Sequence, residues 1–219
     1  MKTIDLLLDA TKDIWEAYNN HPFILGIQNG TLSRDKFKYY MIQDYLYLGD
    51  YAKSFAVGVA KAKSPQIARL FAKYIDVMTG EMDVHSGYMG MLNITEEELC
   101  TTPRALNNLS YTSYMLRVAY EEGEAEILAA ILSCALSYEV IAKKMLQQNP
   151  NAGQDAFYGS WVTNYASQRY HDDNQQLLDA LESTTQQYTP QQLDHLAEIF
   201  VVCSRYEMDF WDMSWNMSK

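Results

Sequence analysis

Asp44, Cys134 and Glu207 are capable of chemistry, and helical spacing points all three inward. In and around YYMIQDYLYLGDYAKSF, steps of three and four residues bring Phe37, Tyr40, Met41, Asp44, Tyr47, Leu48, Tyr51 and Phe55 onto one face, so a carboxylate lies inside an aromatic stripe. The same walk through ILAAILSCALSYEV aligns Ile127, Ile131, Cys134, Tyr138 and Met145, and the thiol points where the core residues point. Near the C-terminus Leu193, Leu196, Phe200, Cys203, Glu207 and Phe210 share a face flanked by Trp211 and Trp215. Desolvating an ionised carboxylate is costly. Such groups are therefore paired, hydrogen-bonded or protonated, and a perturbed acid in a cavity is a candidate for function.

Taken singly, each residue also has a purely structural reading. Asp44 can accept from tyrosine hydroxyls or a backbone cap, Glu207 can pair with a distant arginine such as Arg117, and Cys134 can be an ordinary buried cysteine, as Cys203 and Cys100 are read. Taken together, carboxylates and tyrosine faces make a surface complementary to a flat ring that donates hydrogen bonds or carries a proton. The 17 tyrosines against 7 phenylalanines fit a cavity whose aromatic walls also carry hydroxyls.

The elements that must position these residues are helices. Helical periodicity runs almost throughout, with no alternating β-branched run, which predicts an all-α protein of about eight helices. A first helix runs from about Ile4 to Asn19 and ends before His21-Pro22, and a long second one follows Ser33. Ser64-Pro65 reads as a cap with proline at the first helical position, Thr95 with Glu98 as a capping box, and Thr102-Pro103 as a further cap and proline pair. Gly123, Asn149-Pro150-Asn151 and Thr189-Pro190 punctuate the second half. No repeat, low-complexity tract or flexible linker marks a boundary, so residues 1–219 are read as a single helical bundle.

Composition narrows the function. With 219 residues, 48% hydrophobic and 21% charged, the chain can bury a sizeable core. A net charge of −11, from 28 acidic and 17 basic residues with no basic run, argues against nucleic acid as a partner. Apolar runs such as ILAAILSCAL fall short of the roughly 20 residues a bilayer span needs, and acids interrupt MKTIDLLLDATKD too early for a signal peptide. A cytoplasmic protein without a membrane partner is expected. Three scattered cysteines, with no CxxC pair, predict free thiols rather than a disulfide framework or a metal site.

Five ordered blocks then resemble a known family: HPFILGIQNGTLSRDKFKYYMIQDYLYL, SYTSYMLRVAY, CALSYEV, YGSWVTNYAS and RYEMDFWDMSW. Together, over nearly the whole chain, they are similar to the TenA or thiaminase II family of aminopyrimidine hydrolases, which has a haem-oxygenase-like fold. The resemblance implies that Asp44 hydrogen-bonds the aminopyrimidine, that Tyr47 packs on it, and that Cys134 is the nucleophile, with Tyr138 one turn away. It further implies pocket roles for Tyr111, Tyr165, Glu207 and Phe210, a homotetramer, and no cofactor or metal. Tyr114 lies one turn from Tyr111 and competes for that assignment. Presence of Cys134 puts the chain in the cysteine-bearing branch.

The implied reaction is hydrolysis of 4-amino-5-aminomethyl-2-methylpyrimidine to the 5-hydroxymethyl pyrimidine and ammonia, in thiamin salvage. Thiamin cleavage, with thiazole leaving, is an implied second activity. Glu207 is the expected proton shuttle, its apolar face raising the carboxyl, and Asp44 the expected ionised acceptor.

Two other classes compete with this reading. A non-catalytic pyrimidine-binding or regulatory protein would use the same pocket. A haem or di-iron bundle is disfavoured, because di-iron bundles use paired Glu-x-x-His motifs and the residues three before His21, His85, His171 and His195 are Tyr18, Met82, Gln168 and Gln192. Glu81 and His85 read as a solvated or locally paired helix face. Trp215 and Met217 are read as surface apolar residues available to a subunit interface.

Overall fold

In the computed structural model, residues 2–218 are described, except for the side chains of 79–86. The Glu81–His85 pair therefore lies outside the described residues. The chain is 82% helical, with no strand among the described residues. Among the described residues ten α-helices follow one another: α1 Thr3–Tyr18, α2 Pro22–Gln28, α3 Arg34–Lys61, α4 Pro65–Met91, α5 Glu96–Thr101, α6 Leu106–Glu121, α7 Glu124–Gln148, α8 Gly159–Tyr165, α9 Gln168–Thr184 and α10 Pro190–Asn216. The count exceeds about eight because α2, α5 and α8 have only six or seven residues each. Segments this short carry too few turns to show a period.

Cα packing divides the chain into two compact units, each built from discontinuous segments. One comprises Met1–Leu32 with Leu128–Trp211, the other Ser33–Ile127 with Asp212–Lys219. The chain passes from one unit to the other between Leu32 and Ser33, within α7 and within α10.

In the first unit, α9 caps α1. Glu182 accepts from the backbone N–H groups of Thr3 (3.0 Å) and Ile4 (2.9 Å), two of the donors a helix start leaves open, and places negative charge at the positive end of the helix dipole. The buried stripe of α1, Ile4, Leu7, Thr11, Trp15 and Tyr18, has the spacing of one helix face. Between α7 and α9, the buried Glu139 accepts from Lys143 (2.5 Å), His171 Nδ1 (2.6 Å) and Asn174 (2.6 Å). Burial pushes this carboxyl up, but the three hydrogen bonds outweigh it and hold it below the usual range.

In the second unit, α3 packs on α4 and α6. Every member of the apolar stripe read from the sequence, Asp44 included, is buried. At Gly58 a Cβ would lie 2.9 Å from the Phe71 ring, so the glycine sets the close approach of α3 to α4. Asp50 is held by Lys53 at 2.6 Å and by Arg104. Burial raises its carboxyl, and these two cations outweigh that and keep it low.

Most boundary signals act where expected. The Ser64 side chain accepts from Ile67 N and that of Thr95 from Glu98 N, whereas the Glu98 carboxylate pairs with Lys38 at 2.9 Å. Thr102-Pro103 is the exception, because it closes α5 instead of opening α6. The Thr102 hydroxyl donates back to the Glu98 carbonyl, and α6 begins at Leu106 with the Ala105 N–H donating to Gln43 Oε1 on α3. A cap supplied from 62 residues away leaves no local signature.

The α7 helix is long and apolar enough to cross a membrane by length and composition. Its most apolar window is 83% buried within the protein, as in a core helix. Trp215, read as surface apolar, is half-buried, and the Lys36 ammonium sits 3.2 Å from its ring centroid. Met217 is exposed.

Candidate active site

The residues singled out from sequence fall into two groups, one in each unit. In the second unit, α3 carries Asp44 and Tyr47 one turn apart and α6 carries Tyr111, all three buried. Tyr47 stacks on Tyr51 at 5.3 Å between centroids and leans on Tyr111 at 5.2 Å. Its hydroxyl is directed to the Met115 sulfur at 3.7 Å, which fixes the ring about χ2 and leaves a flat, polarisable wall. Tyr111 is fully buried against Tyr47, whereas Tyr114 is half-buried with Arg117 over its ring. Arg117, the distant arginine considered for Glu207, bonds Glu121 on its own helix at 2.9 Å.

In the first unit, α7 supplies Cys134 and Tyr138, α8 supplies Tyr165, and α10 supplies Glu207 and Phe210. All five are buried. Tyr138 is enclosed by three rings, Tyr165 at 4.8 Å, Trp211 at 5.2 Å and Trp161 at 5.8 Å, with Trp161 edge-on to Tyr165. Such a box tolerates few rotamers and orients the Tyr138 hydroxyl.

One further side chain relates the thiol to the acid. Burial first, and then the charge of Glu207, push the Tyr18 hydroxyl well above the ordinary tyrosine value, with smaller contributions from Cys134 and Cys203. Tyr18 on α1 therefore lies within electrostatic reach of both Cys134 and Glu207. The sequence reading missed it, along with the Trp161 and Trp211 walls. A visible signal was the tyrosine ending the apolar stripe of α1, where a hydroxyl needs a buried acceptor.

The two remaining cysteines keep their structural reading. Cys100 is exposed, and all three cysteines are free thiols. Cys203 is fully buried. Burial and the neighbouring Glu207 charge push its thiol far up, which a hydrogen bond with Ser133 offsets only in part. No metal-binding cluster occurs among the described residues.

Elsewhere in the second unit a cleft of about 350 Å³ is lined by Asp35, Lys38, Ile42, Gln43, Glu98 and Pro103 among others. Its polar groups are committed within the protein: Lys38 to Glu98, and Gln43 to the Pro103 carbonyl and the Ala105 N–H. It contains none of the residues singled out for chemistry.

The thiol of Cys134 and the carboxylate of Glu207 are both buried in one helical unit, and the fold class is the haem-oxygenase-like one. A domain of that fold from Shewanella denitrificans OS217 matches 99% of this chain and 93% of its own with a TM-score of 0.78, at 12% identity, a likeness of fold alone. The chain belongs to the TENA/THI-4/PQQC family, whose model matches residues 8–217. It is 43% identical to an aminopyrimidine aminohydrolase of Helicobacter pylori over 217 residues, covering 99% of this chain and 100% of that protein. It is 39% identical to the protein of the same name in Halalkalibacterium halodurans, covering 96% and 94%. A TenA homologue from P. horikoshii OT3 matches 99% of both chains with a TM-score of 0.86 and 31% identity.

Proposed function

We propose that the protein is an aminopyrimidine aminohydrolase of thiamin salvage, converting 4-amino-5-aminomethyl-2-methylpyrimidine to its 5-hydroxymethyl counterpart and ammonia. The observation that carries this reading is that a buried cysteine, Cys134, and a buried acid, Glu207, lie in one compact unit of a chain 43% identical to an aminopyrimidine aminohydrolase. A protein that only sequestered a pyrimidine would have no use for a nucleophile beside an acid.

The substrate is an aromatic ring bearing an unactivated aminomethyl group, and the ring must become electron-rich before ammonia can depart. In the proposed sequence the Cys134 thiolate forms a C–S bond to a ring carbon, and the displaced electron pair moves to a ring nitrogen, which takes a proton. The ring electrons then expel the amine, protonated by the Glu207 carboxyl, and leave an exocyclic methylene. Water adds to that carbon and gives a proton back to the carboxylate, and loss of the ring proton and of the thiolate restores aromaticity. The resemblance to the family assigns the ring amino group to Asp44, stacking on the ring to Tyr47 and Tyr111, and substrate contacts to Tyr138, Tyr165 and Phe210. Thiamin enters as a second substrate, with the thiazole leaving in place of ammonia. A cytoplasmic homotetramer belongs to the same reading, and light scattering at four times the chain mass tests the stoichiometry.

The test follows ammonia and hydroxymethyl pyrimidine released by the wild type and by Cys134→Ser. The variant should lose turnover by about a hundredfold or more, since the hydroxyl is a far weaker nucleophile. Undiminished turnover in the variant refutes nucleophilic catalysis, and a wild type that binds the pyrimidine without releasing product refutes the enzyme. Parallel specificity constants for the aminomethyl pyrimidine and thiamin rank the two substrates.

A further inference from the structure

The α10 turn that precedes Glu207 is gripped from two sides. From α1, the Tyr18 hydroxyl donates to the Ser204 main-chain carbonyl at 2.5 Å, and Trp15 Nε1 donates to Ser204 Oγ at 2.9 Å. The Trp15 ring also stacks on Phe200, one turn earlier on α10, at 5.6 Å between centroids. From α7, Ser133, the chain neighbour of Cys134, hydrogen-bonds the thiol of Cys203. Tyr18, Ser133, Cys203 and Ser204 have no exposed surface.

Simple packing does not require this arrangement. Inside an α-helix the Ser204 carbonyl already has a partner in the N–H four residues on, so Tyr18 brings it a second donor. Apolar contact between α1 and α10 is non-directional and tolerates sliding. A hydroxyl aimed at one particular carbonyl fixes both the rotation and the axial register of the helix at that turn, three residues before Glu207.

We propose that Tyr18 is a positioning residue for the hydrolysis: by tying the Ser204 carbonyl it holds the α10 turn so that the Glu207 carboxyl is presented toward the Cys134 thiol. This rests on the catalytic reading given above for Cys134 and Glu207. Tyr18 touches no reacting atom in this role. Its hydroxyl stays protonated throughout the working pH range, so the tie to α10 does not weaken as the site titrates.

The test uses the full chain carrying Tyr18→Phe, Glu207→Gln and the two together. The phenyl ring keeps the buried shape and only the hydroxyl is lost. Tyr18→Phe should lower kcat about tenfold and change KM less than about twofold, because a misplaced acid affects the chemical step rather than ring binding. In the Glu207→Gln background the same change should alter kcat less than about twofold, since there is no longer an acid to position.

A second readout needs no turnover. The alkylation rate of Cys134 by iodoacetamide at alkaline pH, where the Glu207 carboxyl is ionised, read by peptide mass spectrometry, should rise about threefold in Glu207→Gln, as loss of a nearby negative charge favours the thiolate. It should rise in Tyr18→Phe as well, and the double variant should match Glu207→Gln alone. If Tyr18→Phe does not fold, Trp15→Phe removes the neighbouring donor to the same serine and is read in the same two assays. Unchanged kcat and unchanged alkylation in Tyr18→Phe overturn the proposal, as does a Tyr18→Phe loss that persists in full beside Glu207→Gln. Absence of turnover in the wild type would overturn the catalytic reading instead, and the alkylation rates would then decide the role of Tyr18.

Discussion

At the scale of the residue, Cys134 and Cys203 have the same chemistry and similar helical phase, yet their surroundings differ. Cys203 is enclosed beside a carboxylate, so burial and charge both oppose its thiolate, whereas Cys134 keeps 9% of its surface. Iodoacetamide on the native protein should therefore modify Cys100 rapidly, Cys134 more slowly, and Cys203 only after unfolding, as peptide mapping before and after denaturant will read. Labelling of Cys203 in the folded protein would contradict this account of its environment. Asp44 permits a sharper prediction. Under the proposed role of Asp44 as acceptor for the ring amino group, Asp44→Asn should raise KM about tenfold, a charged hydrogen bond being weakened to a neutral one, measured by steady-state turnover of the aminomethyl pyrimidine. Tyr47→Phe should do much less, because its hydroxyl is turned to Met115 and its role is that of a flat wall.

At the scale of the element, α3 is a 28-residue helix whose two interior glycines have opposite surroundings. A Cβ at Gly49 meets nothing within 4 Å, whereas one at Gly58 runs into the ring of Phe71, which is itself fully buried and edge-on to Phe55. Gly49→Ala should stabilise the protein by about 0.5–1 kcal/mol through helix propensity alone. Gly58→Ala gains the same propensity but overpacks the α3–α4 contact at a cost of about 1–3 kcal/mol, so the net change should be a loss. Urea unfolding of the two variants side by side gives opposite signs if packing is the reason for Gly58, and equal signs if it is not. The misread Thr102-Pro103 signal belongs to this scale too. Local pattern favoured a helix start there, and a side chain from α3 overrode it.

At the scale of the whole molecule, each unit is locked by a buried carboxylate held low by its donors: Glu139 in one and Asp50 in the other. Both carboxyls titrate lower when folded than when unfolded. Their stabilisation is therefore complete above the unfolded value, about 4 to 4.5, and is lost as pH falls through the folded value. Thermal midpoints should hold steady from neutral pH to about 5 and then decline as pH drops through and below 4. Glu139→Gln should lower stability by about 2 kcal/mol at pH 7, with the gap to wild type closing in acid. A gap that stays constant down to pH 3 would mean that the Glu139 charge contributes nothing to the lock between α7 and α9.

The fold class and the burial of the candidate site residues were legible in the sequence, because both are written in local periodicity. A 3.6-residue repeat of apolar side chains specifies which face of a helix turns inward, so Asp44, Cys134 and Glu207 could be picked out as buried polar groups before any packing was known. Caps such as Ser64 and Thr95 act within four residues and could be read the same way. What periodicity cannot encode is which faces meet. That Tyr18, 186 residues from Ser204, ties the turn before Glu207, that Gln43 caps α6, and that Trp161, Tyr165 and Trp211 box in Tyr138 all depend on contacts between distant segments. A helix carries the direction of its side chains in its own sequence, whereas their partners are supplied by whatever the chain later folds against them. The sequence by itself thus determined which residues point inward, and only the tertiary structure decided which ones they touch.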